Sequence, residues 1–290
     1  MRWMAGALAV LAVTIAPNIA LSQAPPLWAT VPEVPPLPRP DRSGFVDNDG
    51  AKLYFAVFHR HGGSPVILLH GGFASSDSWG FEVPLLAKTH EVIVMDTRGH
   101  GRSTLGPAPL SYRQFASDTL AVLDTVGAHK ASVVGLSDGG ITGLILAIEH
   151  PERVDRLFVW GATFSTDADP TGPPDPAMKG MGAVFMARME AQYRALSPNP
   201  NGFNDLRASL VRLYGQEPSL TPAKLGAIKS PTIVADGAHE QFIAQAHTAM
   251  LAHLIPRAQL VILPNVSHGG PQQDPAAFGA AVASLLDRPE

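Results

Sequence analysis

Apolar residues recur along the chain in short runs, and stretches with helical spacing separate these runs. Runs rich in valine, isoleucine and leucine are typical of buried β-strands. They predict strands at residues 52–58, 65–70, 91–96 and 131–136, and in the later segments VDRLFVWGA, SPTIVAD and QLVILP. Because apolar strands alternate with helices, we predict an α/β fold with a mostly parallel, doubly wound sheet that helices cover on both faces.

Two of the intervening helices have clear boundaries or a clear apolar face. The helix that follows the 91–96 strand should begin after Ser111, a typical N-cap residue, and end at Gly127. After the 131–136 strand, apolar residues recur at spacings of three and four, which predicts one buried helix face: Ile141, Leu144, Ile145 and Ile148.

The alternation of strands and helices stops over about residues 164–229, where only loop and helix patterns occur. An all-helical insertion between two core strands would lie over the strand ends as a lid. Within it, Met178, Met181 and Phe185 recur at helical spacing. This stripe either packs onto the domain or lines a pocket for acyl and alcohol groups, since methionine adapts to varied shapes.

The N-terminus resembles a secretory signal peptide over residues 1–22, with one basic residue, an apolar run and a cleavage site after Ser22. An uncleaved anchor is the alternative, although the run is shorter than a membrane-spanning helix needs. A proline-rich linker follows at 23–40, and the folded domain should span 41–290. These features predict a periplasmic or secreted protein.

The composition of the chain argues against several classes of function. The chain has 290 residues, a net charge of −4, no basic run and no cysteine. Nucleic-acid binding and stable membrane partnership are therefore not expected, and neither disulfides nor a lipid-modified cysteine can form. The balance of 46% hydrophobic and 16% charged residues is that of a globular domain.

A Gly-x-Ser-x-Gly motif at 135–139 is the first candidate for chemistry. It lies between a predicted strand and a predicted helix, where a tight turn can raise the hydroxyl of Ser137 above the sheet edge. By itself the motif is weak, because a serine that caps an ordinary helix gives the same letters.

A serine nucleophile needs a base and a group that orients the base. Among eleven histidines, His268 is the one placed in a loop after the last predicted strand. The orienting acid should follow the preceding strand, where Glu240 lies beyond the turn at Gly237. Asp236 is the alternative acid, although capping its strand is the simpler role for it, and Asp167 is a third candidate.

The oxyanion of an acyl-transfer intermediate needs two backbone donors. The residue after the nucleophile, Asp138, supplies one N–H. The loop HGGF at 70–73 should supply the other, from Phe73 or from Gly72 as the alternative. His70 should then support this loop.

Five motifs occur in order: HGGF, MDTRGHGRS, GLSDGG, GAHE and VSHGG. Together they resemble the α/β-hydrolase superfamily with an inserted helical lid, over about residues 45–287. The resemblance implies Ser137 as nucleophile, Glu240 as acid and His268 as base. Glutamate departs from the more common aspartate at the acid position, which keeps Asp236 open.

A narrower resemblance covers residues 135–162, which are similar to the valacyclovir hydrolase branch. In those enzymes an aspartate directly after the nucleophile faces the substrate ammonium group, so the resemblance implies a substrate-binding role for Asp138. A carboxylate at a helix N-terminus also stabilises the helix dipole by roughly 0.3–1 kcal/mol, and that role alone would explain it.

These observations predict an exported serine hydrolase, a carboxylesterase for small to medium esters, with no cofactor and no metal. The segment HEQFI lacks the second histidine of a zinc HExxH motif. Lactone, amide, peptide or carbon–carbon bond hydrolysis on the same triad stays open, because a fold does not fix a reaction. A binding protein that kept the fold without catalysis is a remote alternative.

Overall fold

The computed structural model describes residues 24–59, 63–168 and 173–288. Within them the chain forms one eight-stranded sheet with the spatial order β1-β2-β4-β3-β5-β6-β7-β8. The strands are β1 Arg42–Asn48, β2 Ala51–Phe58, β3 Pro65–Leu69, β4 Glu91–Met95, β5 Ala131–Leu136, β6 Val154–Trp160, β7 Thr232–Gly237 and β8 Ala258–Leu263.

The sheet is mostly parallel, as predicted. Strands β4, β3, β5, β6, β7 and β8 run parallel to one another, whereas β1 and β2 form an antiparallel pair at one edge. All seven predicted strands are present. The additional strand β1 was not predicted, because its sequence RSGFVDN is polar and its residues are largely exposed.

Helices connect the strands and cover both faces of the sheet. They are α1 Glu82–Leu86, α2 Tyr112–Val126, α3 Asp138–Glu149, α4 Met181–Leu196, α5 Phe203–Tyr214, α6 Pro222–Leu225, α7 Gln245–Leu254, α8 Gly270–Gln273 and α9 Pro275–Leu286. The predicted limits of α2 are confirmed: the Ser111 hydroxyl accepts a hydrogen bond from the Gln114 N–H, and Gly127 ends the helix with φ of 85°.

Two buried apolar clusters lie on opposite faces of the sheet. One contains side chains of α2 and α3 with alternate residues of the strands, and the other contains Trp79, Trp160 and Phe278 beside α1 and α9. Central strand β5 is buried along its whole length. This double cover explains why the central strands are apolar throughout, and it confirms the predicted fold class.

The segment between β6 and β7 carries helices α4, α5 and α6 and corresponds to the predicted lid. One face of α5 is buried through Leu206, Leu210 and Leu213, which join the same cluster as α2 and α3. Phe203 of α5 lies 6.0 Å from the ring of Phe73 in the HGGF loop. The lid is therefore packed directly onto the loop that was predicted to hold the oxyanion.

The proline-rich segment, residues 24–40, lies against the domain and is not a free spacer. Its backbone is extended as its prolines predict, but the Arg188 guanidinium of α4 donates to the carbonyl oxygens of Val31 and Pro32 at 2.9 and 2.6 Å. Trp28 stacks on His239 with ring centroids 3.8 Å apart. The segment thus joins the lid to the loop of the predicted triad acid.

Across residues 24–59, 63–168 and 173–288, no helix has both the length and the apolar character that a membrane crossing requires. The predicted signal peptide at 1–22 lies outside the described residues.

Candidate active site

Ser137 lies at the turn between β5 and α3 with a backbone φ of 53°. A residue with a side chain rarely adopts this conformation, which costs about 1–3 kcal/mol and is found mainly at functional sites. The turn also needs glycine at 139, because a Cβ there would lie 2.0 Å from the carbonyl oxygen of Leu69. Strand, strained serine and helix therefore occur in the order predicted from the motif.

His268 and Glu240 meet at the same edge of the sheet. The His268 Nδ1 lies 2.7 Å from Glu240 Oε2, and the Glu240 carboxylate is fully buried. The other oxygen, Oε1, accepts the Phe242 N–H at 2.7 Å. An acceptor at Nδ1 leaves Nε2 of the neutral imidazole free to take a proton, which is the state a general base needs.

The charges around His268 favour its protonated form. Burial by itself lowers the pKa of His268, but the charge and hydrogen bond of Glu240, together with the charge of Asp138, outweigh it, so the pKa is raised above 6.5. Burial likewise raises the pKa of Glu240, and the nearby His268 charge and its hydrogen bonds reverse this, so the pKa is lowered. The pair therefore stabilises an imidazolium next to a carboxylate.

Trp160, the last residue of β6, makes hydrogen bonds to both Ser137 and His268. Its carbonyl oxygen accepts the Ser137 N–H at 2.8 Å, and its indole Nε1 donates to the carbonyl oxygen of His268 at 2.9 Å. Ser137 Oγ has no hydrogen-bond partner among the residues that the structure describes. In free enzymes the contact between nucleophile and base is often long and tightens only with substrate.

The two other acids considered for the triad do not contact His268 among the described residues. Asp236 is fully buried at the end of β7, where its carboxyl accepts the Gly237 N–H and the Thr248 hydroxyl, each at 2.8 Å. Asp167 is exposed and accepts a hydrogen bond from the Ser165 hydroxyl. The structure thus brings Glu240 to His268, and neither aspartate makes this contact within the described part of the chain.

The HGGF loop passes beside the nucleophile turn. Phe73 has a φ of 65°, a second strained residue, and within the described part of the chain its N–H donates to no protein acceptor. The N–H of Asp138 belongs to the first turn of α3, where backbone donors lack partners inside the helix. Both predicted oxyanion donors are therefore free to bind a developing negative charge.

His70 supports this loop, as predicted. Its Nε2 accepts the Thr97 N–H at 3.0 Å, so Nδ1 carries the proton and donates to the Gly71 carbonyl oxygen at 2.8 Å. Burial lowers the pKa of His70, which keeps the ring neutral. Asp96 adds to the support, because it accepts the backbone N–H groups of Ser76 and Arg102, both at 2.7 Å.

Both carboxylate oxygens of Asp138 accept hydrogen bonds from tyrosine hydroxyls. Tyr112 at the start of α2 donates to Oδ1 at 2.8 Å, and Tyr214 at the end of lid helix α5 donates to Oδ2 at 2.9 Å. Burial raises the pKa of Asp138, and the two hydroxyls with the His268 charge counteract it in part. The carboxylate therefore ties the nucleophile turn to the core and to the lid.

The oxyanion loop meets this tyrosine pair at Gly72. A Cβ at this position would lie 2.0 Å from the Tyr214 hydroxyl and 2.8 Å from Asp138 Oδ2. Glycine is therefore required at 72 for a close approach. Burial next to Asp138 raises the pKa of Tyr112 and of Tyr214 well above 10, so both hydroxyls keep their protons and continue to donate.

Replacing Tyr214 by phenylalanine should destabilise the protein by about 1.5–3 kcal/mol, because a buried carboxylate loses one of its two hydroxyl donors. Tyr193→Phe is the matched control, since Tyr193 lies on the other long lid helix and its hydroxyl makes no hydrogen bond among the described residues. Urea unfolding of both variants measures the difference. Equal losses of stability would show that the Asp138 contact contributes nothing.

The three apolar lid residues predicted to bind substrate are half-buried. Met178 closes a short 3-10 turn, Met181 begins α4 and Phe185 lies one turn further along. Their role in binding stays a prediction.

Across residues 24–59, 63–168 and 173–288, no group of three or more His, Cys, Asp or Glu side chains is arranged to hold a metal ion.

Tyr112 and Tyr214 were not predicted from the sequence as partners of Asp138, and neither was the side-chain hydrogen bond between Asp236 and Glu240. Residue 112 precedes residue 138 by 26 positions, and residue 214 follows it by 76. Tyrosine at a helix end has ordinary structural roles, so no local pattern distinguishes these two. The contacts of the predicted linker with Arg188 and His239 were not predicted either.

Comparison with known proteins matches the sequence of this chain to a protein family. A family model described as the alpha/beta hydrolase fold matches residues 64–222, which is more than half of the chain. The match includes β3 to β6, the nucleophile turn and most of the lid.

Three relatives are similar over most of their length. A Caulobacter sp. (strain K31) protein named "Putative carbamate hydrolase RutD" is 30% identical, with 84% of this chain and 98% of the relative covered. The 2-hydroxymuconate semialdehyde hydrolase of Pseudomonas sp. (strain CF600) is 28% identical, with coverage of 77% and 87%. The solved enol-lactonase of Burkholderia xenovorans LB400 is 25% identical, with coverage of 84% and 100% and a TM-score of 0.66.

None of these three relatives is a valacyclovir hydrolase. The comparisons therefore support the broad superfamily resemblance, and they do not support the narrower one based on residues 135–162. The contacts of Asp138 with Tyr112 and Tyr214 point in the same direction, because both oxygens of this carboxylate already accept a hydrogen bond.

Proposed function

Since this chain belongs to the alpha/beta hydrolase fold family, we propose that it is a serine hydrolase that cleaves small to medium carboxylic esters through an acyl-enzyme. The observation that carries this proposal is the 2.7 Å contact between His268 and Glu240, which Trp160 links by hydrogen bonds to the strained Ser137. A base oriented by a buried acid is what a serine hydroxyl needs to become a nucleophile.

In the proposed mechanism Ser137 Oγ attacks the ester carbonyl carbon while His268 Nε2 takes the hydroxyl proton. The N–H groups of Phe73 and Asp138 bind the oxyanion of the tetrahedral intermediate. The imidazolium then gives its proton to the leaving alcohol oxygen as the ester bond breaks. Water, deprotonated by His268, attacks the acyl-enzyme and releases the acid and free Ser137.

The Asp138 charge bears on the choice of substrate. A buried negative charge beside the nucleophile disfavours anionic substrates and favours neutral or cationic ones. For an α-amino acid ester, an ammonium about 6 Å away would gain roughly 2–3 kcal/mol at an effective dielectric near 20, before desolvation is subtracted. Because both carboxylate oxygens accept tyrosine hydroxyls, this selection would act through the electric field and not through direct contact.

A substrate panel tests the proposal: p-nitrophenyl esters, aminoacyl esters, lactones and carbamates, each with wild type and Asp138→Asn. We expect a higher kcat/KM for the open-chain esters, uncharged or aminoacyl, than for lactones and carbamates. Asp138→Asn should lower kcat/KM for an aminoacyl ester about tenfold more than for the matching uncharged ester. An equal effect on both would remove the ammonium preference, and turnover of carbamates alone would overturn the esterase assignment.

Lactone hydrolysis is the second candidate, and the similarity to the solved enol-lactonase favours it. A lactone is an internal ester, so the same nucleophile, base and oxyanion donors would open the ring. The lactone arm of the panel distinguishes the two: a kcat/KM for lactones above that for every open-chain ester would favour this candidate.

We also propose that the protein is exported, on the signal-peptide pattern of residues 1–22. Cleavage after Ser22 would leave a mature chain whose first residues run into the proline-rich segment that lies on the lid. N-terminal sequencing of protein recovered from a bacterial periplasm tests this. The mature chain should begin at Gln23, and a chain that retains Met1 would contradict the prediction.

A further inference from the structure

We propose that Asp236 carries a proton and donates a hydrogen bond to Glu240, so that it positions the triad acid for His268. This inference rests on the proposed function, because it assigns Asp236 a role behind a catalytic triad. Asp236 contacts none of the reacting atoms of the proposed mechanism and is a positioning residue.

The first support is the contact of two buried carboxyl groups. The side chains of Asp236 and Glu240 are within hydrogen-bonding contact, and both are shielded from solvent. Two ionised carboxylates cannot remain together in such a place, because like charges repel strongly where water is excluded. One of the two must therefore hold a proton, and that proton forms the hydrogen bond between them.

The second support is the difference between the partners of the two groups. Glu240 accepts from His268 and from the Phe242 N–H, so its charged form is stabilised by an imidazole donor, which is a cation whenever the ring is protonated, and by a backbone donor. Among the described residues, Asp236 accepts only from neutral groups, the Gly237 N–H and the Thr248 hydroxyl. The proton therefore belongs on Asp236. Burial, and then the Glu240 charge, raise the pKa of Asp236 to about 9.

The groups that face Asp236 come from its own loop and from the helix packed against it. Glu240 on that loop is the only charged group in contact with it among the described residues, and His268 acts on it through Glu240. Helix α7 contributes the uncharged Thr248 hydroxyl and places Gln245 on the Gly237 carbonyl oxygen. No cation lies among these partners to stabilise a charged Asp236.

Ionisation of Asp236 should therefore disturb catalysis at high pH. Loss of its proton would place a second negative charge against Glu240 and would remove the hydrogen bond that fixes that carboxylate. We expect wild-type kcat/KM to fall above about pH 9, following the raised pKa of Asp236. The tyrosines of the site do not explain this fall, because their pKa values lie well above 10.

Two substitutions test the role. Asp236→Asn keeps a hydrogen-bond donor for Glu240 but cannot ionise, so it should retain most of the neutral-pH activity and lose the decline above pH 9. Asp236→Ala removes the donor and should lower kcat by about 10²-fold with little change in KM, because the imidazole is then held less well. An unaltered alkaline decline in Asp236→Asn would overturn the proposal.

Proton location is measured without any turnover by carbon-13 NMR of protein labelled at aspartate carboxyl groups. The Asp236 signal, identified by its absence in Asp236→Asn, should keep the shift of a protonated carboxyl through neutral pH and titrate near 9. A signal that titrates near 4 would overturn the inference. Because this measurement needs no substrate, it separates failure of the Asp236 assignment from failure of the proposed hydrolase activity.

Discussion

Replacing Ser137 by alanine should lower kcat for a p-nitrophenyl ester by about 10⁴-fold or more. The reason is chemical, since alanine offers no oxygen to form the acyl-enzyme and only the oxyanion donors and substrate binding remain. The fold should persist, because alanine can adopt the φ of 53° at a cost similar to that of serine. Initial rates and urea unfolding of the same preparation measure both quantities.

The matched control for this substitution is Ser284→Ala. Ser284 is exposed on α9, and within the described part of the chain its hydroxyl donates only to the Ala281 carbonyl oxygen of the same helix, at 2.7 Å. It should retain full activity. If Ser137→Ala kept more than about a tenth of the wild-type kcat while Ser284→Ala behaved as wild type, Ser137 would not be the nucleophile.

Replacing Glu240 by glutamine should lower kcat by about 10²- to 10⁴-fold. Glu240 accepts on both oxygens, from His268 Nδ1 and from the Phe242 N–H. In glutamine one of these positions becomes an NH₂ group, which would face a donor in either orientation. Asp167→Asn is the control, since this exposed acid follows the neighbouring strand β6 and makes no contact with His268 among the described residues. Equal losses in the two variants would remove Glu240 from the triad.

The same variant should shift the acidic side of the pH profile. In the wild type the pKa of His268 is raised above 6.5, so kcat/KM should fall as the pH drops through that raised value and the base becomes protonated. Glutamine removes the negative charge that favours the imidazolium, and the pKa of His268 should then decrease. The acidic limb of Glu240→Gln should therefore move to lower pH, which a profile of residual activity measures.

Local patterns predicted most of the fold. The limits of α2 follow from Ser111 and Gly127 because a helix cap involves only neighbouring residues. Strand β1 was missed because an exposed edge strand has no apolar run to identify it. The packing of residues 24–40 was missed because it depends on Arg188 and His239, which are far away in sequence.

In the candidate site, too, some features follow from local sequence patterns and others depend on residues that are distant in sequence. Ser137, Glu240 and His268 each follow a strand that the apolar pattern identifies, so their placement at one sheet edge could be predicted. The partners of Asp138 and Asp236 could not, because a carboxylate beside a nucleophile or at a strand end has several common roles. Only the structure shows that two tyrosine hydroxyls donate to Asp138 and that Asp236 contacts Glu240.

The reactivity of Ser137 can be measured by labelling the folded protein with a fluorophosphonate probe and mapping the modified peptide by mass spectrometry. We expect the label on Ser137, within the tryptic peptide 131–153. Labelling should be lost in Ser137→Ala and strongly slowed in His268→Ala. Ester hydrolysis by folded protein that carries no label at Ser137, or carries it on another serine, would show that Ser137 is not the nucleophile.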